Sequence, residues 1–311
     1  MPRPLAYVRP IAHQKGDPNS VRLFLDLTKS GIVVFVLVSG LAGYFLSWPP
    51  YQPIDFAHLA ITMLSIYFFS AGSFALNQAQ EWKIDREMPR TRQRPIPSGR
   101  VSVGQAVFIG LAFVVLGIGC GFLSSPLVAY LGIATVVLYN LLYTLYWKKK
   151  WAFGAVPGAI PGAMPVVIGY AANTNDLATP QLFYVFMLLF LWQMPHFWSL
   201  AIKFKEDYRL GGIPVLPVMI GTEATLFHMG LYMFAYVALA IAAPWFTGVY
   251  WAYGILVIPF SFKILYEFFR YYQAGAEKRW LSFFLWTNFS ILVFLIAPVI
   301  DTWWRYFGAQ A

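Results

Sequence analysis

The chain has 311 residues, of which 59% are hydrophobic, 19% aromatic and only 11% charged, and its formal net charge is +9. Soluble domains carry about a quarter charged residues, so this composition excludes an ordinary water-soluble fold. The basic residues fall in loops between apolar runs, which is how a membrane protein is oriented in the bilayer and which argues against nucleic-acid binding.

The amino-terminal 29 residues contain bases such as Arg3 and Lys29 together with Asp17 and Asp26, and no apolar core precedes the first long apolar run. This pattern is typical neither of a cleavable signal peptide nor of a transit peptide. We interpret residues 1–29 as a cytoplasmic segment that lies partly along the membrane surface, and residues 30–311 as one membrane domain.

Nine apolar runs of about the length that spans a bilayer follow one another along the chain. We place them at residues 31–48, 57–79, 104–123, 126–147, 152–171, 181–202, 222–243, 247–267 and 281–303. Basic residues gather after runs two, four, six and eight, so the positive-inside rule predicts a cytoplasmic amino terminus and an external carboxyl terminus. The sequence therefore predicts an all-α polytopic membrane protein with nine transmembrane helices.

The end of the second run carries Asn77, Glu81 and Asp85, which are spaced four residues apart and so share one face of a helix. Carboxylate and amide oxygens are the ligands that Mg²⁺ takes, usually one or two carboxylates together with substrate phosphate oxygens. Solvated acids at a helix end are the alternative. Acidic groups in register at a membrane boundary favour the metal site, because ionisable groups there are costly and tend to be functional.

An arginine-rich segment follows directly and consists of Arg86, Arg90, Arg92, Arg94 and Arg100. Arginine binds phosphate oxygens through two parallel hydrogen bonds and stabilises the charge on a leaving diphosphate. Simple membrane orientation is an equally good explanation for Arg86, Arg92 and Arg100.

A second polar segment follows the sixth run, four runs after the first, and this placement predicts a weak internal repeat whose two halves face one site. It carries Lys203 and Asp207 one helical turn apart, followed by a bend rich in glycine and proline. Asp207 would complete the metal site and Lys203 would contact a diphosphate. An ordinary salt bridge between the two residues is the alternative.

Two further patterns lie on or beside predicted helices. Tyr143, Lys148 and Lys149 stand at the end of the fourth run, where a phosphate clamp or simple membrane orientation would both account for the lysines. His196 follows Pro195 inside the sixth run, and a histidine at that depth is a candidate for holding a porphyrin or moving a proton, or else a core residue whose hydrogen bonds are satisfied.

These residues together resemble the protoheme IX farnesyltransferases, or heme O synthases, of the UbiA-type intramembrane prenyltransferase superfamily. The resemblance covers most of the chain and is most specific in NQAQEWKIDREMPRTRQRP, with support from YT followed by paired lysines, PHFW and DYRLGGIPVLP. Lys203 stands where the superfamily usually has an aspartate, which favours the heme branch. Glu81 and Trp151 depart from the usual family residues.

The resemblance implies nine helices around a central cavity, in the bacterial inner membrane and open to lipid, and an enzyme that farnesylates heme b. Farnesyl diphosphate would bind through Mg²⁺ held by Asn77, Glu81, Asp85 and Asp207. Arg90, Arg94, Lys203 and the Lys148–Lys149 pair would neutralise its oxygens, Tyr143 would steady a transient cation, and His196 would position heme. The downstream heme A synthase is an implied partner. A prenyltransferase acting on a quinone precursor such as 4-hydroxybenzoate and a proton-coupled transporter are the competing hypotheses.

Overall fold

The structure is a computed structural model that describes residues 20–49, 51–249, 251–276 and 278–308, with only the backbone for 305–308. Most of the predicted cytoplasmic segment, residues 1–19, lies outside this range. Within it the chain is helical and contains no β-strand, which confirms the predicted all-α class.

Eight helices of the described residues are long and apolar enough to cross a membrane, which confirms a polytopic membrane protein. Together with five shorter helices, in chain order, the helices are α1 (Ser20–Leu27), α2 (Ser30–Ser47), α3 (Phe56–Glu87), α4 (Val103–Ser124), α5 (Pro126–Lys150), α6 (Ala155–Ala171), α7 (Pro180–Lys203), α8 (Lys205–Leu210), α9 (Leu216–Met219), α10 (Gly221–Ile241), α11 (Ala243–Thr247), α12 (Trp251–Gln273) and α13 (Trp280–Gly308). The predicted fifth span corresponds to α6, an apolar helix of 17 residues that is shorter than the other eight.

Local sequence signals explain where several helices begin. The Asp55 side chain accepts hydrogen bonds from the first backbone N–H groups of α3, and Ser102 and Gln105 form a reciprocal capping box at α4. Thr179 caps α7, whose first residue is Pro180. These caps satisfy N–H groups that hydrocarbon would leave without partners.

Two of the boundaries that differ from the prediction have an identifiable reason. α3 continues to Glu87, beyond the apolar run that ends near residue 79, because Glu81 and Asp85 in its last two turns are buried and paired with cations of neighbouring segments. α12 begins at Trp251 and not at residue 247, since Gly248 ends α11 in the left-handed conformation, with φ 61°.

The helices pack as two connected groups, with α2, α3, α4 and α5 on one side and α7, α10, α12 and α13 on the other. α6 lies between them and contacts both α2 and α7. The glycines of α6 permit this close packing, because a Cβ at Gly162 would collide with the Gln193 side chain of α7. The ends of α3, α5 and α7 and the start of α13 meet at one end of the bundle, which we call the site end.

Candidate active site

Asn77, Glu81 and Asp85 form a buried row on one face of α3 at the site end, and we call them the acid row. Their exposed fractions are 2%, 3% and 1%. Burying a carboxylate costs several kcal/mol unless it is paired with a cation or hydrogen-bonded. The arrangement therefore requires compensating groups from other segments.

Each member of the acid row contacts a different cation. The pairs are Lys29 Nζ with Asn77 Oδ1 at 3.0 Å, Lys148 Nζ with Glu81 Oε1 at 2.7 Å, and Arg94 Nη1 with the two Asp85 oxygens at 2.9 and 2.8 Å. Three segments that are distant in sequence thus converge on α3. Arg94 and Lys148 are two of the cations for which the sequence resemblance implies substrate neutralisation, and here they pair with the acid row.

Lys29 is the site residue that the sequence interpretation missed, since it was assigned to the amino-terminal segment. It lies between α1 and α2 in the left-handed conformation, with φ 50°, where the chain turns sharply. The side-chain amide of Gln78 donates to the Asp26 and Leu27 carbonyls and fastens the end of α1 to α3. Burial and the nearby Arg94 guanidinium lower the pKa of Lys29 to about 7. The only sequence signal was a lysine immediately before the first apolar run.

A π-helix within α5, Val137–Trp147, shapes the wall opposite the acid row. Long π-helical segments are rare and are often found at functional sites. The side-chain amide of Asn140 donates to the Ser73 carbonyl and to Gln80 Oε1, so this segment is docked directly on α3.

Thr144 of the π-helix fixes the orientation of the Asn77 amide. Its hydroxyl donates to the Tyr139 carbonyl at 2.8 Å, and because a carbonyl can only accept, Thr144 Oγ1 is left to accept from Asn77 Nδ2 at 3.2 Å. The Asn77 oxygen must therefore face the other way, where Lys29 now lies. Thr144 and Lys29 impose the same orientation independently.

The second polar segment contacts the first, as the predicted repeat requires. Asp207 Oδ2 accepts a hydrogen bond from the Arg90 backbone N–H at 3.0 Å, and the Arg90 guanidinium lies 4.5 Å from the centre of the Phe204 ring. Gly211 packs against Ile84 and Met88 so closely that a Cβ there would lie 3.1 Å from both side chains. The two segments therefore meet at the site end.

Two predicted cations, Lys203 and Lys149, form no salt bridge with the acid row among the described residues. Lys203 and Asp207 do not form a salt bridge among the described residues, because α7 ends at Lys203 and α8 begins after a break at Phe204. The Lys203 ammonium lies 5.5 Å from the centre of the Trp280 ring. Lys149 forms no salt bridge with any residue in the described part of the chain.

Two clefts are lined by cations that contact the acid row. The basic cleft is lined by Leu25, Asp26, Lys29, Ser30, Gly31, Ile32, Arg90, Gln93, Arg94 and Pro95. The aromatic cleft is lined by Tyr143, Lys148, Trp151, Ala152, Gly154, Ala155, Phe197, Trp198, Leu200, Ala201, Tyr208, Val215 and Leu216. The first contains three basic residues, and the second is mostly apolar.

His196 lies in neither cleft. Its ring packs between Trp192 and Phe284, with centroid distances of 4.8 and 5.0 Å, and faces α13. The Asn288 side chain hydrogen-bonds to this imidazole, but His196 Nδ1 is buried without a partner among the described residues. A buried nitrogen without a hydrogen-bond partner is energetically costly, and the packing of the described helices provides no partner for this one.

The donor set of the acid row suits Mg²⁺ bound together with a phosphate ligand. No three His, Cys, Asp or Glu side chains converge on one point in the part of the chain that the structure describes, so a cage made only of protein is absent there. Mg²⁺ is usually held by one or two carboxylates, several waters and substrate oxygens. The acid row provides one amide oxygen of fixed direction and two carboxylates that already attract cations. These ligands suit a Mg²⁺ ion that also binds water and substrate oxygens.

Comparison with known proteins identifies the family of this chain. A family model described as the UbiA prenyltransferase family matches residues 36–288. The chain belongs to the UbiA prenyltransferase family. The protoheme IX farnesyltransferase of Bdellovibrio bacteriovorus is 50% identical over 283 residues, which cover 91% of this chain and 97% of that protein. The protoheme IX farnesyltransferase 1 of Bacillus velezensis is 31% identical and 93% of each chain is covered.

Solved structures of UbiA homologues share the fold of this family member. A digeranylgeranylglyceryl phosphate synthase superimposes with a TM-score of 0.71 at 18% identity, covering 90% of this chain and 98% of that one. A UbiA homologue from Archaeoglobus fulgidus bound to GPP and Mg²⁺ gives 0.64 at 16% identity, covering 89% and 99%. The family and the apolar helices establish an integral membrane prenyltransferase.

Proposed function

We propose that this chain transfers the farnesyl group of farnesyl diphosphate to a vinyl group of protoheme IX (heme b), forming heme O and diphosphate. The observation that carries the proposal is the acid row, with one cation on each member, in a chain 50% identical to a protein named protoheme IX farnesyltransferase. Buried oxygen ligands next to lysine and arginine suit a metal-bound diphosphate.

Asn77, Glu81 and Asp85 would hold Mg²⁺, with Asp207 approaching from the second half. When bound, Mg²⁺ stabilises negative charge on the departing diphosphate. The support comes from the oxygen donors of the acid row and from the fold shared with a homologue whose structure contains GPP and Mg²⁺. Asp207 now accepts from the Arg90 backbone, so it would have to rotate to become a ligand.

The basic cleft would receive the diphosphate. Lys29, Arg90 and Arg94 all line it, and two of them already contact the acid row. Their charges would offset those of the phosphate oxygens as the carbon–oxygen bond breaks. Lys203 and Lys149 lie at the same end of the bundle and would contact the diphosphate only after their side chains move.

The chemistry follows from charge separation in an apolar chamber. The carbon–oxygen bond of farnesyl diphosphate breaks with both electrons leaving on the diphosphate, and the π electrons of a heme vinyl group attack the allylic cation. Water adds to the resulting benzylic-type cation and loses a proton, which gives a hydroxyethylfarnesyl side chain. Tyr139 and Tyr143 stack at 5.8 Å, and their faces would stabilise the transient positive charge.

Thr144 provides a test of the metal site that does not depend on turnover. Thr144→Val should weaken Mn²⁺ binding about tenfold, because the Asn77 amide would lose the acceptor that fixes its direction. Thr144→Ser retains the hydroxyl and should bind Mn²⁺ like the unmodified protein. Electron paramagnetic resonance titration with inorganic diphosphate present measures both affinities. Equal affinity for the valine and serine variants would contradict the role.

His196 would position heme through the imidazole edge that has no partner. His196→Ala is expected to weaken protoheme binding several-fold while the affinity for farnesyl thiodiphosphate stays unchanged, since the ring lies outside the basic cleft. Absorbance titration measures the first affinity and calorimetry the second. The reverse pattern, with heme binding intact and diphosphate binding lost, would exclude this role.

The deciding experiment compares acceptors. Membranes containing the protein are incubated with farnesyl diphosphate and either protoheme or 4-hydroxybenzoate, and the extracts are analysed by mass spectrometry. We expect heme O only from protoheme, with loss of product on chelation by EDTA and recovery with Mg²⁺. Prenylated 4-hydroxybenzoate would assign the quinone branch, and no magnesium-dependent release of diphosphate would favour a transporter.

The cellular setting is part of the proposal. The alternation of basic loops supports a bacterial inner-membrane protein with a cytoplasmic amino terminus, which would place the site end at the cytoplasmic face. Farnesyl diphosphate and heme would then enter from the lipid or that face. Heme A synthase, which modifies heme O, would be the next enzyme and a candidate partner.

A further inference from the structure

The aromatic cleft has an unusual set of polar groups. No acidic residue lines it, and its polar side chains are those of Tyr143, Lys148, Trp151, Trp198 and Tyr208. All five can donate a hydrogen bond, and the lysine and the two tryptophans can only donate. The remaining walls are apolar and include the ring of Phe197. A cleft of this kind complements a flat apolar molecule that carries an acceptor group at its edge.

One donor of this cleft, the Trp198 indole N–H, lacks a hydrogen-bond partner among the described residues. The side chain is 1% exposed, and its Nε1 has no hydrogen-bond acceptor among the described residues. The ring itself is held by edge contacts with Phe153 and Tyr232. A buried N–H without an acceptor is unfavourable, so a ligand oxygen would relieve an existing penalty.

Charge distinguishes the ligand of this cleft from the diphosphate. Lys148 is the charged residue in its lining, and that charge is offset by Glu81, 2.7 Å from the ammonium. The basic cleft instead carries three cations and one acid, Asp26. A multiply charged diphosphate fits the basic cleft, whereas the donors of the aromatic cleft can hold a single carboxylate by hydrogen bonds.

We propose that the aromatic cleft binds a carboxylate of the prenyl acceptor, and that Trp198 and Tyr208 are donors to it. The inference rests on the proposed function, because protoheme IX carries two propionates on the edge of the porphyrin opposite its vinyl groups. Anchoring the propionate edge at Trp198 and Tyr208 directs the vinyl edge away from these two donors. The cleft therefore selects which end of the porphyrin meets the farnesyl cation.

The proposal is tested by comparing protoheme with its dimethyl ester, in which both carboxylates are blocked. Absorbance titration of the detergent-solubilised protein should show that the ester binds about tenfold more weakly, the effect of losing one charged hydrogen bond. Trp198→Phe keeps an aromatic ring but removes the N–H. We expect this variant to bind protoheme about tenfold more weakly and to discriminate poorly between acid and ester, with unchanged affinity for farnesyl thiodiphosphate.

Trp280→Phe is the matched control, since the Trp280 Nε1 is also buried without a partner among the described residues but lies outside both clefts. The Trp280→Phe variant should distinguish protoheme from its dimethyl ester as strongly as the unmodified protein does. Tyr208→Phe supplies a second test at a half-buried position of α8, in case Trp198→Phe does not fold. Equal binding of acid and ester by the unmodified protein, or full discrimination in both cleft variants, would overturn the proposal. Failure of the proposed function is distinct, because the unmodified protein would then bind neither porphyrin.

Discussion

Asp85→Asn is expected to reduce farnesyl transfer by at least about 10³-fold while leaving a folded, membrane-inserted protein. Asparagine has nearly the same shape and can still accept a hydrogen bond from Arg94, so the packing around the site should persist. The change removes the negative charge that a divalent cation requires. The measurement is the rate of heme O formation in isolated membranes, normalised to protein content.

Glu87→Gln is the matched control for this substitution. Glu87 lies two residues further along α3 but is exposed, so it faces away from the acid row. The activity of the Glu87→Gln variant should stay within about twofold of that of the unmodified protein, as is usual for surface substitutions. Normal heme O formation by Asp85→Asn would remove the metal assignment of the acid row.

Lys148→Met is expected to lower the free energy of unfolding by about 3 kcal/mol, because it leaves the Glu81 carboxylate buried without its cation. The Glu81 side chain is 3% exposed and the Lys148 side chain 21%, so solvent cannot substitute for the lost partner. The effect can be measured by SDS-induced unfolding in mixed micelles, followed by circular dichroism.

The double variant Glu81→Gln/Lys148→Met separates stability from function. Removing both charges should recover most of the lost stability, whereas turnover should remain low because the metal would lose one carboxylate. Lys150→Met, at an exposed position two residues further on, should change neither quantity. A double variant as unstable as the single one would show that Lys148 stabilises the fold through contacts other than the Glu81 pair.

The fold was largely predictable because hydrocarbon imposes a simple rule on the chain. Each backbone polar group within the bilayer must be bonded internally, so apolar runs of about 20 residues become helices. The spans at α2, α4 and α7 were placed within a residue or two. α3 was predicted too short because hydropathy marks the apolar run and not the polar turns beyond it, in which Glu81 and Asp85 are buried.

The site was predictable where its residues lie on one helix and not where it depends on tertiary contacts. Spacing alone placed the acid row on one face of α3. No local pattern indicates that Lys29 reaches Asn77, since that contact depends on how α1 and α2 pack on α3. The π-helix could not be predicted from the sequence either, because its residues have the same apolar character as the α-helical turns before it.

The predicted alignment of side chains in the second polar segment was wrong for a related reason. A four-residue spacing would align Lys203 with Asp207, but the helix breaks at Phe204 and the two side chains take different partners. The partners of side chains at helix ends therefore depend more on the local backbone conformation than on residue spacing. The metal role of Asp207 stays a prediction.

The central claim is that the acid row holds a divalent metal together with the diphosphate of the prenyl donor. An experimental structure determined with Mn²⁺ and farnesyl thiodiphosphate, with the metal located by its anomalous signal, tests it most directly. We predict a metal about 2.1–2.3 Å from oxygens of Asn77 and Asp85 and bonded to phosphate oxygens in the basic cleft. A metal and a diphosphate bound elsewhere, with the acid row still paired to Lys29, Lys148 and Arg94, would contradict the claim.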